Sequence, residues 1–351
     1  MDVDLIVCGA GPAGLASAIQ AARAGLEVAV FDPRPSPIDK ACGEGLMPGA
    51  VRELDELGVR VDGSPLRGIR YTDGRTEAQA LFRNGAGRGV RRTQLHAALV
   101  DTLTDLGVAV RQERVASISQ DDRSVRAGDL TARYLIAADG LHSPIRRQLG
   151  LEVSPRATQI PRWGLRQHFA IAPWTDLVEV HWAAHSEAYV TPVGPQLVGI
   201  ALLGSTRAPF ADALQAFPAL RERLAATSGT GLAGLADAAS TVRGAGPLRQ
   251  RTRARVAGRV LLVGDAGGYV DALTGEGIAV SLACARAAVD CIQAGTPRRY
   301  EQRWRTLSRR YRLITEALLW ARGRPVLART ITPAAARLPA VFAALVDQLA
   351  R

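Results

Sequence analysis

Gly9, Gly11 and Gly14 in Gly9-Ala10-Gly11-Pro12-Ala13-Gly14 are the residues of this chain best suited to holding a phosphate. A dinucleotide site needs a tight turn, a bare backbone that can approach a pyrophosphate, and a helix N-terminus aimed at it, and the three glycines meet those needs in order. Asp32 stands at the end of the next apolar run, close to the separation of about 20 residues at which an acid accepts hydrogen bonds from an adenosine ribose. Far downstream, Val260-Leu261-Leu262-Val263-Gly264-Asp265 delivers a second aspartate, and Thr274-Gly275-Glu276-Gly277-Ile278 opens a helix. Asp265 can accept from a ribityl hydroxyl. The amides from Gly275 to Ile278 can point at the pyrimidine end of an isoalloxazine, where negative charge develops on reduction. A nicotinamide dehydrogenase has no use for this second clamp, so the pair selects FAD.

The elements that must position these residues are legible in outline. Leu5–Cys8 reads as a strand, Leu15–Ala24 as a helix stopped by Gly25, and Glu27–Phe31 as a second strand, together a βαβ opening. Helices are expected near Pro48–Leu57 and over Arg92–Leu106, with strands at Val108–Arg114 and Tyr134–Ala138. Between Trp163 and Leu203 the pattern changes to alternation, in 167–171, 178–182 and 197–201, which predicts an antiparallel sheet inserted into the α/β frame. Val260–Val263 returns to a buried parallel strand, and the chain from Gly277 onward is mostly helix.

Between the two clamps, Tyr134-Leu135-Ile136-Ala137-Ala138-Asp139-Gly140 ends a strand on an Asp-Gly pair, with Ser143 and Arg146 following. With GxGxxG, Asp-Gly and Gly-Asp in that order, residues 4 to 325 resemble the flavoprotein superfamily of para-hydroxybenzoate-hydroxylase-type (class A) monooxygenases and geranylgeranyl reductases. The resemblance implies an α/β fold with a Rossmann-type FAD-binding domain in residues 1–150 and 247–300. It implies an inserted antiparallel-sheet substrate domain in 151–246 and C-terminal helices in 301–351. It implies FAD contacts from Arg92 and Val115, and Ala13, Arg34, Gly43 and Glu44 join the cofactor-binding set beside the motif residues. Asp139, Ser143 and Arg146 would hold the protein around the cofactor, with a link to NADPH use, or pin a turn.

The loop Lys40-Ala41-Cys42-Gly43-Glu44-Gly45 resembles the Lys-x-Cys-Gly loop of the reductase branch, which sits beside the isoalloxazine. Gly264-Asp265-Ala266-Gly267-Gly268 points the same way. Against it, Ala188-Tyr189-Val190-Thr191-Pro192 lacks the tryptophan of that branch's Tyr-x-Trp-x-x-Pro pattern, and Ala272 and Leu273 replace a proline seen in both branches. Flavin halogenases are disfavoured, because Lys40 is the chain's one lysine and no Trp-x-Trp motif is present. Cys42, Gly43 and Tyr189 are the catalytic candidates. Arg166, His168, His181 and Thr191 are candidates to line a substrate pocket under one face of the inserted sheet. The leading expectation is an NAD(P)H-dependent FAD monooxygenase hydroxylating or epoxidising a small aromatic, polyketide-like or isoprenoid substrate. A reductase of isoprenoid double bonds is the alternative, and FAD as a scaffold for a non-redox cyclisation is a third.

Composition narrows the partners. A net charge of +11 invites a nucleic-acid reading, but the arginines are spread along the chain and aromatics make up only 5%, too few for a stacking surface. Contact with an anionic lipid surface or a carrier protein stays open. Four cysteines without CxxC or Cys/His spacing indicate neither disulfides nor a metal site. No Ser-His-Asp set or paired carboxylates point to hydrolysis. The acidic opening Met1-Asp2-Val3-Asp4 and the lack of a long apolar run predict a cytoplasmic protein.

Overall fold

The computed structural model describes residues 1–154, 160–228 and 239–351. The opening unit is β1 (Val3–Cys8), α1 (Pro12–Arg23) and β2 (Val28–Phe31). The chain continues through α2 (Pro48–Glu56), β3 (Gly68–Thr72), β4 (Glu77–Leu81), α3 (Arg92–Asp105), β5 (Leu130–Ala137) and α4 (Pro144–Gln148). Next come β6 (Trp163–Phe169), β7 (Leu177–Trp182), β8 (Ser186–Gly194), β9 (Leu197–Gly204), α5 (Phe210–Leu214), α6 (Pro218–Ser228) and β10 (Val260–Leu262). Helices α7 (Gly277–Gln293), α8 (Arg299–Arg322), α9 (Pro325–Ala328), α10 (Ile331–Arg337) and α11 (Pro339–Leu349) follow.

β10, β5, β1 and β2 lie side by side in that order, all parallel. Leu5 to Cys8 and Leu135 to Ala137 are buried on both faces, the pattern a parallel sheet covered on both sides requires. The strand order reverses at β1, so the crevice for a ligand opens at the carboxyl ends of these strands. Cys8, Phe31, Ala137 and Leu262 end there, and the chain delivers the Gly9 turn, Asp32, Asp139 and Asp265 immediately afterwards. The strand expected over Val108–Arg114 is only Val110–Arg111, at the sheet edge, because residues 111 to 114 are exposed and polar.

The second sheet has seven strands, with β6, β9, β8, β7, β3 and β4 in sequence behind a short strand at Arg243–Ala245. β3 and β4 lie within residues 1–150, assigned from sequence to the FAD-binding part, yet they pair in the inserted sheet, β3 parallel to β7. The alternating burial of Ala78 and Ala80 within Glu77–Leu81 is the signature of that role. Helices α10 and α11 cover this end, where Phe342 meets Tyr71 at 4.8 Å between ring centroids.

A buried ionic cluster ties α8 to the sheet. Glu187 on β8 takes hydrogen bonds from Arg322 at the end of α8 and from Arg162, and Arg162 also binds Asp271 at 2.9 Å. Replacing Glu187 by alanine leaves buried Arg322 without a carboxylate and takes one of two carboxylates from Arg162, which keeps Asp271. Glu187→Ala should lose about 3–5 kcal/mol in urea denaturation, and a loss below about 1 kcal/mol, the level of an exposed pair, would refute the assignment.

Candidate functional site

Each glycine of the first motif has its own steric reason. A Cβ on Gly9, at φ +105°, would fall 2.3 Å from the Ala138 carbonyl oxygen, and one on Gly14 would fall 1.8 Å from that of Gly9. Both are therefore closed by backbone. Gly11 differs, since a Cβ there would meet nothing closer than Arg92 Nη2 at 3.9 Å. Gly11 is also the N-cap of α1, and no side chain caps that helix end. Bare amides thus face open space, which is the cradle a pyrophosphate fits.

Cations converge on that space. Arg92 is buried, and its Nε has no hydrogen-bond partner. Lys40 lies near enough that a Cβ on Gly140 would be 3.1 Å from its Nζ. Burial lowers the pKa of both groups, with Asp265 the main opposing charge at Lys40 and one of several at Arg92. Asp32 accepts from the Ala10 amide at 2.8 Å and is covered by Arg34, whose Nη2 lies 2.7 Å away. Despite burial, the bonds from Arg34 and the Ala10 amide hold the Asp32 carboxyl below its usual range. Gly264 brings Asp265 in by close contact with α1, for a Cβ there would lie 2.7 Å from that of Ala13. Val115 is half-buried, packed against the cluster containing Cys8 and Phe31.

Asp139 and Arg146 act as braces. Asp139 accepts from the Ile145 amide at 3.1 Å, and burial raises its pKa. Ser143 caps α4 by accepting from the Arg146 amide. Fully buried Arg146 donates to the carbonyls of Leu141 and Ala266 and to Gln250, which joins the central motif to the Asp265 turn.

The Cys42 loop is fastened to the inserted sheet through Glu44. That residue is buried with φ +60°, a left-handed backbone rare outside glycine. Its Oε1 accepts from the Arg92 amide at 2.8 Å, and its Oε2 lies 2.6 Å from His168 Nε2. His168 Nδ1 meets Ser240 Oγ at 2.9 Å, Arg166 binds Asp39, and Thr191 Oγ1 donates to the Gly43 carbonyl at 2.8 Å. The Glu44 amide lies 3.4 Å from Cys42 Sγ, and burial pushes the Cys42 thiol up, so it holds its proton at neutral pH. Tyr189 donates to the Leu273 carbonyl at 2.8 Å, just before Gly275 and the uncapped start of α7 at Gly277 and Ile278.

Strand register corrects the substrate-lining set. Val180, Tyr189, Ala201 and Arg166 stand opposite one another across four strands, as do Thr191, Gly199 and His168, so these share one face. His181 pairs with Ala188 and faces the other side, where it meets Glu179 at 3.3 Å; it cannot join the other three. Arg166, His168 and Thr191 are spent on Asp39, Glu44 and Gly43. What the shared face presents to Met47 and Leu273 is apolar: Val178, Val180, Trp182 and Ala201. Asp39 and Ser240 were missed from sequence, and Lys40 was read only as part of the Cys42 loop, not as a cation of the cofactor cleft.

Two clamps at the carboxyl ends of a parallel sheet, roofed by a second sheet, define a flavoprotein of the oxidoreductase class. The chain belongs to the FAD binding domain family, whose model matches residues 2–290. It is an FAD-dependent oxidoreductase. It is 30% identical over 315 residues to a menaquinone reductase of Mycobacterium tuberculosis, covering 83% of this chain and 76% of that one. It is 28% identical over 335 residues to digeranylgeranylglycerophospholipid reductase 1 of Methanopyrus kandleri, covering 87% and 86%. The fold matches that of OxyS, an anhydrotetracycline hydroxylase from Streptomyces rimosus, with a TM-score of 0.74 at 19% identity, covering 100% of this chain and 76% of that one. Among the described residues no helix is long and apolar enough to cross a membrane, and no group of His, Cys, Asp and Glu could hold a metal ion.

Glu276 was also overlooked. It is buried at the start of α7, with Oε2 unpartnered and Oε1 3.4 Å from Arg310. Burial raises its carboxyl from 4.5 to about 7, against the pull of Arg310. A carboxyl whose pKa rises on folding contributes full stability below its ordinary value and loses it as pH climbs through 7. Glu276→Gln should therefore be more stable than the parent at pH 8, by up to about 3 kcal/mol, with no gain at pH 4.5. Thermal unfolding at the two pH values checks this, and a gain independent of pH contradicts it.

Proposed function

We propose that this oxidoreductase reduces a carbon–carbon double bond in a long apolar, isoprenoid-type substrate, using a nicotinamide nucleotide as reductant. The observation that carries the reading is the apolar sheet face. Four polar side chains on it are engaged with neighbouring segments, Arg166 with Asp39, His168 with Glu44, Thr191 with Gly43 and Tyr189 with Leu273. Committed in this way, these four do not serve to grip a polar aromatic acid, whereas a hydrocarbon chain suits Val178, Val180 and Ala201. Relatives that match through this sheet, the menaquinone and digeranylgeranylglycerophospholipid reductases, support the same reading.

The cofactor, when bound and reduced, supplies a hydride. Arg92, Lys40 and the α1 amides would hold its phosphates, Asp32 the ribose and Asp265 the ribityl chain. The sheet excludes water and orients the double bond. Saturation adds one hydride and one proton across that bond, and Cys42 Sγ, which keeps its proton at neutral pH, is the candidate donor. Thr191 and Glu44 fix the thiol's loop and act as positioning residues.

Oxygen transfer is the second reading, favoured by Thr191 standing where the reductase branch carries tryptophan. Incubation of the holoenzyme with NADPH and a polyprenylated quinone, with and without ¹⁸O₂, separates the two. A product heavier by two hydrogens, formed equally well without oxygen and strongly slowed in Cys42→Ala, is expected. Incorporation of label would replace the reductase by a monooxygenase, and an isomer of unchanged mass would point to a scaffold role.

A further inference from the structure

A second cavity lies behind the cofactor cleft. It has a volume of about 470 Å³ between the 249–255 segment, the 264–270 turn, α7 and α8. It shares Gly264, Asp265 and Gly277 with the cofactor side, but none of Gly9, Gly11, Asp32, Arg92 or Cys42. Four arginines line it, Arg249, Arg251, Arg255 and Arg312, against Asp265 and Glu316.

The pairing leaves an excess of positive charge. Glu316 is taken by Arg249, with one of its two contacts at 2.7 Å, and Arg255 binds Glu301 at 3.1 Å. Arg251 and Arg312 have no carboxylate partner among the described residues. Arg255 and Arg312 also stack on the Trp304 ring, at 3.6 and 5.3 Å from its centroid, so both guanidinium groups are held in place. In the wall beside them Ser308 is 2% exposed, and its hydroxyl has no hydrogen-bond partner. A buried hydroxyl without a partner costs free energy unless a ligand supplies one. The volume exceeds what a bare anion needs and falls in the range of organic-ligand sites.

We propose that this cavity binds a phosphate-bearing organic ligand of the nucleotide class, its phosphates held by Arg251, Arg312 and Ser308 and its organic part against Tyr269 and Val270. The site is independent of whether the substrate is reduced or oxygenated. Its wall is the turn that carries Asp265, so an occupant presses on the ribityl clamp from behind. Binding there couples to the flavin without touching it.

The test uses the FAD-loaded protein, titrated calorimetrically with pyrophosphate, ADP and NADPH in the absence of substrate. ADP should bind saturably and more tightly than pyrophosphate. The double variant Arg251→Gln/Arg312→Gln should weaken ADP roughly tenfold or more, the scale of losing charge-assisted bonds to phosphate. Ser308→Ala should weaken it less, and FAD content and visible spectrum should stay unchanged in all variants. NADPH displacing ADP would make the reductant's adenylate half the occupant and supports the site. Three results overturn it: no saturable binding of ADP, pyrophosphate binding as tightly as ADP, or ADP binding that the double variant leaves untouched.

Discussion

The arrangement of the site depends on one buried carboxylate. Glu44 holds a left-handed backbone that a glycine would adopt more cheaply, and its side chain repays that strain by bridging three segments distant in sequence. One oxygen fixes the start of α3, where Arg92 enters the cofactor cleft, and the other meets His168 on the inserted sheet. Gly199 leaves the room, because a Cβ there would stand 3.1 Å from Glu44 Oε2. Arg92, the Cys42 loop and the inserted sheet are thereby set relative to one another through a single group. Neither the parallel sheet nor the inserted one could place Cys42 alone.

That economy has a chemical consequence. Polar residues on a substrate-facing sheet ordinarily suggest recognition of polar substrate groups, and Arg166, His168 and Thr191 looked suited to it. Once they are committed to Asp39, Glu44 and Gly43, the charge lies in the cofactor cleft and the roof is hydrocarbon. The division is what the proposed reaction requires, with the cofactor bringing the anionic phosphates and the substrate only apolar surface. Desolvation that would penalise a charged substrate costs an apolar one nothing.

The cofactor half was legible in sequence because its demands are local. A glycine triplet, an acid after the second strand and a Gly-Asp turn are each read within a few residues, and the steric limits at Gly9 and Gly14 show why. The inserted sheet was legible only as alternation. Which face His181 takes is decided by pairing with Ala188, and one residue of register reverses it. The roles of β3 and β4 were hidden for a similar reason: inside a stretch dominated by cofactor motifs, β3 finds its partner, β7, about 100 residues later, and β4 joins the sheet only through β3. Glu44 and Glu276 differ again. Nothing in the local sequence marks either carboxylate as buried, since burial is conferred by α3, α8 and the sheet.

An apolar patch could have joined the Cys42 loop to the sheet at less desolvation cost, as buried ion pairs can often be exchanged for well-packed hydrocarbon. A hydrocarbon contact, however, tolerates small slips, whereas Asp39, Glu44, Arg166 and His168 satisfy one another in a single register. The same logic recurs at Arg162, Glu187, Asp271 and Arg322, which lock α8 and the segment leading to Gly275 onto the opposite end of the same sheet. Two buried ionic clusters, one on each side of the apolar face, thus fix where the flavin-facing loops stand over it. The hydrocarbon between them excludes water, and the charged clusters give position. Position is the scarcer quantity here, because the frame that binds the cofactor is shared by enzymes of different chemistry and only the placement of the loop and roof distinguishes them.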